Sequence, residues 1–268
     1  MDNIEKLVRE RRSFRTYDGL ELTNEDKKKL YAFTETIKNP YGLPVEFKFL
    51  EKMSCPVVIG TEMYIGAKMK ESLHLNEAFG YSFETLVLYA QSLGIGTVWI
   101  GGTMDRAAFE KAMDVGVDEV MPCVSPLGYP AKKMSMRELL MRKGVKADDR
   151  LAFEEIVYSN SFEQPLTHNL AGKLFLPLEM VRLAPSAVNK QPWRMVVMDD
   201  VVHFYLQRSK NFIHGKFDMQ KIDMGIALCH FELMAKELGI CTEFIIQDPN
   251  IPSKNGVEYI ASYKFTLN

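Results

Sequence analysis

Apolar residues recur at helical spacing through Ile4, Leu7 and Val8, with Asp2 or Asn3 as the cap, so the pattern predicts an opening helix ending near Arg12. Thr23-Asn24-Glu25-Asp26 is a capped start for a second helix through Leu30, Phe33 and Ile37, which Pro40, Gly42 and Pro44 close. The alternation from Val45 to Leu50 predicts a strand, as does the apolar run Pro56 to Ile59. From Asn76 to Leu93 the chain is apolar on most sides, which predicts a helix central to the core. Gly94-Ile95-Gly96 stops that helix, and Thr97 to Ile100 follows as a short buried strand. Thr103 or Asp105 caps a helix reaching Met113, Val120 to Leu127 is a strand, and Met134 to Arg150 is basic, partly helical and exposed.

The same plan returns in shorter form after a linker at Tyr158 to Leu174. A helix from Pro177 to Leu183 runs into the break at Ala184-Pro185, and strands follow at Arg194 to Met198 and Val201 to Gln207. A second long helix spans Asp218 to Leu238, and strands at Glu243 to Ile246 and Glu258 to Phe265 complete the pattern. Gly80 to Ile100 aligns without a gap on Gly225 to Ile245, with Gly, Leu, Ala, Leu-Gly-Ile, Thr and Ile at matching places. Pro44-Val-Glu-Phe-Lys-Phe lies opposite Pro192-Trp-Arg-Met-Val-Val at a shift three residues larger. Helices on mixed sheets, twice over, give an α+β architecture. The expected modules are residues 1–160 and a shorter one at 161–268, an internal duplication packed as one unit.

Bulk properties narrow the function. The 268 residues suffice for a substantial core, and a formal net charge of −2 argues against non-specific binding to nucleic acid or anionic lipid. The uncharged run Thr85 to Met104 is broken by glycines, so it reads as a buried helix entering a buried strand rather than a membrane span. Cys55, Cys123, Cys229 and Cys241 show no metal spacing, and the dispersed histidines suggest none either. Free thiols and a charged opening segment lead to a cytoplasmic expectation, with no membrane partner.

Two polar motifs stand out, each in one half only. Arg11, Arg12 and Arg15 flank Ser13; guanidinium forks suit phosphate oxygens, although arginines at a helix end also offset the macrodipole. In Ala184-Pro-Ser-Ala-Val-Asn-Lys-Gln-Pro-Trp193, Pro185 breaks a helix and leaves Ser186 and Asn189 in a loop able to reach a polar ligand, or to shape a turn around a buried Trp193. Gly101 and Gly102 after Ile100 permit close approach of main chain to a planar ligand.

Taken together, RRSFRTY, APSAVNKQPWRMVV, SLGIGTVWIGG and PLGYPAKK before a later Arg resemble the FMN-dependent nitroreductase family, and most closely its subgroup with two modules fused in one chain. The resemblance implies an NAD(P)H oxidoreductase that reduces nitroaromatics, quinones or similar acceptors by ping-pong hydride transfer, with NADH or NADPH as donor. It implies that Arg11, Arg12 and Ser13 hold the FMN phosphate and ribityl chain and that Arg15 lies near the flavin N1 and C2 carbonyl. Ile100, Gly101 and Gly102 would lie over the ring, Arg150 would meet the phosphate, and Ser186, Ala187 and Asn189, behind Pro185, would contact the cofactor from the other half. No catalytic side chain is implied beyond the flavin.

The second half opens with Asn169-Leu-Ala-Gly-Lys173 in place of the arginine cluster, and the first half has Lys38-Asn-Pro-Tyr-Gly42 in place of the Pro-Ser loop. Ile245-Ile246-Gln247 likewise replaces the glycines. The expectation is therefore one FMN per chain at the interface of the halves, in a monomer acting as an internal pseudo-dimer. A flavin- or ligand-binding protein without turnover on the same fold is the alternative.

Overall fold

The computed structural model describes residues 1–253 and 256–267. The chain divides into two compact units, Met1 with Glu10–Ala147 and Asp2–Arg9 with Asp148–Asn268. The boundary lies ahead of residue 160 because β5 (Val157–Ser159) already pairs within the second unit's sheet. The opening helix α1 (Ile4–Glu10) also falls almost wholly in the second unit, where the Ile4 N–H donates to the Glu237 carboxylate at 2.8 Å.

In the first unit, α2 (Asn24–Thr34) begins at Thr23, whose hydroxyl accepts from the Asp26 N–H. β1 (Glu46–Leu50) pairs antiparallel with β2 (Tyr64–Lys70), Leu50 opposite Tyr64 and Glu46 opposite Lys68. β2 also pairs with the short β3 (Glu119–Val120) and β4 (Val124–Pro126). The expected strand from Val120 to Leu127 is thus cut in two, at a point where Pro122 has no N–H to give a ladder. Pro56 to Ile59 is not a strand: Val58 N–H closes a turn onto the Cys55 carbonyl, and Ile59 makes a lone bridge to Thr16. β2 escaped the pattern because its first six residues are all buried, which erases the alternation that marks a strand. Thr97 to Ile100 likewise forms single bridges, Thr97 to Ser13 and Ile100 to Val124, instead of a continuous strand.

α3 (Leu75–Ser92) is buried on nearly every side, as its apolar pattern required, and packs on β2. α4 (Arg106–Ala112) is capped by Asp105, and α5 (Met136–Gly144) by Ser135. The segment 13–17 threads through this unit as extended chain, exchanging hydrogen bonds with Thr97, Ile59 and Ala131. Gly60 sits beneath it at φ +88°, where a Cβ would run into the Tyr17 carbonyl oxygen. Gly60→Ala is expected to lower stability by about 2–4 kcal/mol, seen as a fall in the urea midpoint at unchanged slope.

In the second unit, β6 (Trp193–Met198) runs parallel to β5 and antiparallel to β7 (Val201–Gln207). β8 (Ile213–His214) and β9 (Phe217–Asp218) form a separate small hairpin. β10 (Cys241–Ile245) and β11 (Val257–Thr266) complete a five-stranded sheet in the order β10-β11-β7-β6-β5. α6 (His168–Ala171) falls inside the expected linker and leads to α7 (Phe175–Leu183). α8 (Met219–Glu237) starts at the Asp218 cap and packs on α7 and the sheet, where Phe231 meets Phe204 edge-on at 5.4 Å.

The recurring Leu-Gly-Ile has one local purpose in both units. Gly94 and Gly239 take φ +74° and +72°, and in each case the glycine N–H and the following isoleucine N–H cap the last turn's carbonyls. Only glycine adopts that left-handed cap without strain. Among the described residues no helix is long and apolar enough to cross a membrane.

Candidate functional site

Beyond α1 the chain cannot stay helical once it begins pairing with its neighbours. Phe14 N–H donates to the Thr97 carbonyl at 2.9 Å and Tyr17 N–H to Ile59 at 2.8 Å, so residues 13–17 are extended. Side chains then alternate in direction. The Arg12 guanidinium lies exposed, 4.7 Å from the Phe14 ring centroid. Arg11 goes elsewhere: its side chain is only 7% exposed, with Nε 3.9 Å from the fully buried carboxylate of Glu84. The other Glu84 oxygen accepts from the Trp99 indole at 2.9 Å. Arg15 is half-buried under the influence of Glu138, which in turn accepts from the Thr16 hydroxyl at 2.7 Å.

Burial pulls both guanidinium groups below their ordinary pKa, Glu84 opposing the fall at Arg11 and Glu138 at Arg15. The like charge of Arg142, on α5, adds to the fall at both. Three arginines from two segments therefore share one neighbourhood. Arg142 and Glu138 were missed in the sequence because their stretch reads as exposed; Glu138 is in fact 1% exposed and Arg142 half-buried. The i, i+4 spacing of Glu138 and Arg142 on a capped helix was the available signal.

Gly101 is held from behind. Arg106 donates to the carbonyls of Gly101, Met121 and Pro122 at 2.8, 2.7 and 3.1 Å, which pins the turn after Ile100. Gly102 is exposed, and a Cβ there would meet nothing within 4 Å, so its open side could accept a neighbouring group.

In the second unit, α7 stops at Leu183 and Ala184 turns extended ahead of Pro185, since a residue before proline avoids helical angles. The loop that follows is strained: Val188, Asn189 and Gln191 take φ of +44°, +58° and +49°. Such angles in a branched residue such as Val188 persist only when the surroundings impose them. Here Asp223 of α8 accepts the Ala187 N–H with both oxygens, at 2.9 and 3.1 Å, and the Ser186 hydroxyl accepts from Gln191 N–H at 2.8 Å. Gln191 in turn accepts from Leu151 N–H at 2.9 Å.

Arg150 and Asn189, distant in sequence, meet within this loop's surroundings. Arg150 Nη1 is 3.3 Å from Asn189 Oδ1, and the Asn189 amide donates to the Asp149 carbonyl at 3.0 Å. Asp223 and Gln191 are the residues here that the sequence did not single out. A carboxylate between Ile222 and Met224 in an otherwise apolar stretch of α8 was the available clue. Trp193 is wholly buried, in keeping with a core role.

A family model described as "Putative TM nitroreductase" matches residues 3–235. No curated protein matches the chain. Among solved structures, a "putative nitroreductase" from Thermotoga maritima is similar over 98% of this chain and 93% of its own, at 20% identity and a TM-score of 0.63. A nitroreductase family protein from Clostridium difficile 630 matches 58% of this chain and 96% of its own, at 14% identity and a TM-score of 0.46. An FMN-dependent nitroreductase from Clostridium difficile R20291 matches 51% of this chain and 94% of its own, at 18% identity and a TM-score of 0.40. The Thermotoga likeness, at its identity, speaks for the fold: mixed helices and sheets of the nitroreductase kind.

Proposed function

The chain belongs to this nitroreductase family, and from that membership we propose that it is an FMN-dependent NAD(P)H oxidoreductase acting on nitroaromatics, quinones or similar acceptors. The observation that carries the flavin is the pair of guanidinium groups on Arg11 and Arg15. Each has an Nε that is buried without a hydrogen-bond partner, and both lie under the like charge of Arg142. Buried cations with unused donors suit a phosphate, whose oxygens match the guanidinium fork. Arg12, exposed over the Phe14 ring, and Ser13 lie between them in the sequence and could add to the grip. In the second unit, Pro185, Ser186, Ala187 and Asn189 form a strained loop with Arg150 at its side, which supports a polar ligand there as well.

FMN, when bound, supplies two-electron hydride chemistry. The chain's own groups orient and polarise. Arg15 would bring a positive charge to the N1 and C2 carbonyl edge of the ring, where negative charge would develop on reduction. Ile100, Gly101 and Gly102 offer main chain to the ring face, with Arg106 keeping that turn in place. With FMN held there, donor and acceptor would use one face in turn, and initial rates would then follow a ping-pong pattern. Each motif occurs once in the sequence, which supports one FMN per chain and a monomer whose internal repeat stands in for a second subunit.

The deciding experiment is a visible spectrum with flavin quantification on protein purified without added cofactor. One flavin per polypeptide is expected, and a ratio near two would overturn the stoichiometry. A colourless sample that gains no flavin spectrum on reconstitution would sink the cofactor assignment. Sustained NAD(P)H oxidation with a quinone or nitro acceptor separates an enzyme from a flavin-binding protein without turnover.

A further inference from the structure

The outward face of α5 is unusually apolar. Inward it turns Glu138, 1% exposed, which accepts from the Thr16 hydroxyl, and Met141, which packs on the first unit's core. On the opposite side, three and four residues apart, Met136, Leu139 and Leu140 are 72%, 47% and 66% exposed, and Val145 is exposed just beyond the helix end. A helix facing only water is expected to present the opposite arrangement. Around the apolar face stand Lys132, Lys133, Arg137, Lys143 and Lys146, all exposed. Between Lys132 and Lys146 six basic residues oppose a single Glu, in a chain whose formal net charge is −2.

An apolar stripe ringed by lysines is the chemistry of a helix lying in the headgroup region of a bilayer. We infer that α5 docks the protein onto an anionic phospholipid surface, with Met136, Leu139 and Leu140 entering the interface and the surrounding cations meeting lipid phosphates. A second copy of the chain suits this face less well. A twofold contact would lay the patch against its own like and bring the same cations together. The expectation drawn from net charge alone gives way here, because charges beyond a Debye length are screened and a bilayer responds to the local patch. None of these apolar residues or exposed cations is among the groups assigned to the flavin, so the two stand separately.

The test is co-sedimentation of the full chain with vesicles of phosphatidylcholine alone and with phosphatidylglycerol added. Binding at least about tenfold stronger to the anionic vesicles is expected, and high salt should abolish the difference. Leu139→Ser with Leu140→Ser, and separately Lys132→Glu with Lys133→Glu, should each weaken binding about tenfold while the thermal midpoint is unchanged. Equal binding to both vesicles, or undiminished binding by both double variants, overturns the inference. So does a concentration-dependent dimer that the leucine variant dissolves while no vesicle binds, which would assign the face to a second copy. Flavin content does not enter the readout, so failure of the proposed function leaves this result interpretable.

Discussion

Arg11→Ala is expected to lose both stability and flavin, and adding Glu84→Gln should restore only the stability. The Arg11 side chain is almost wholly buried, and its Nε lies 3.9 Å from the Glu84 carboxylate. Truncating it takes a positive charge from beside a carboxylate that is itself fully buried, with an expected loss of about 3 kcal/mol. Glutamine at position 84 keeps the shape and can still accept from the Trp99 indole while carrying no charge. The double variant should therefore unfold within about 1 kcal/mol of the parent. Flavin behaves differently if Arg11 also grips phosphate: affinity should fall at least about tenfold in both variants. Denaturant unfolding and flavin titration on the same preparations separate the two effects. Recovery of flavin binding in the double variant would leave Arg11 a purely structural residue.

Asp223→Ala should have the second large effect. It removes the acceptor that holds the Ala187 N–H and with it the pin of a loop carrying three non-glycine residues at positive φ. A stability loss of about 2 kcal/mol is expected from the stranded amide, together with weaker flavin retention as the loop relaxes. Asp223→Asn keeps an acceptor and should retain most of both.

The pH dependence has a definite sign. Burial raises the Asp223 carboxyl well above the usual carboxylate range, the Ala187 N–H opposing it. The folded protein therefore keeps a proton that the unfolded chain releases above a pKa of about 3.9. That contribution is complete below the unfolded value and is lost as pH rises through the raised folded value. Relative to Asp223→Asn, the parent should thus lose stability as the solution moves from acid toward neutral. Parallel stability curves for the two proteins would rule this out.

Much of the frame could be read from local chemistry. β7 has the bounds its pattern implied, Val201–Gln207, and the Leu-Gly-Ile segments mark the ends of α3 and α8 because a left-handed cap favours glycine. The α+β class followed from the same periods. What stayed hidden was burial without alternation, as in β2, and charged groups drawn inward, as in α5 with Glu138 buried and Arg142 half-buried. Long-range pairing was equally silent: Asp223 reaches Ala187 only because α8 folds back on α7. The candidate arginines were visible as a cluster, yet their division into a buried Arg11, an exposed Arg12 and a half-buried Arg15 needed the carboxylates of Glu84 and Glu138.

The placement of α1 bears on how the molecule is made. Residues 2–9 complete a unit whose remaining parts begin at Asp148, and the Ile4 amide is tied to Glu237 across most of the chain. During synthesis those first residues leave the ribosome well before their partner exists. The apolar face of Ile4, Leu7 and Val8 must therefore stay unsatisfied, or sheltered by a chaperone, until translation has passed Glu237. A tag fused ahead of α1 would therefore act on the unit that begins at Asp148 rather than on the unit of residues 10–147.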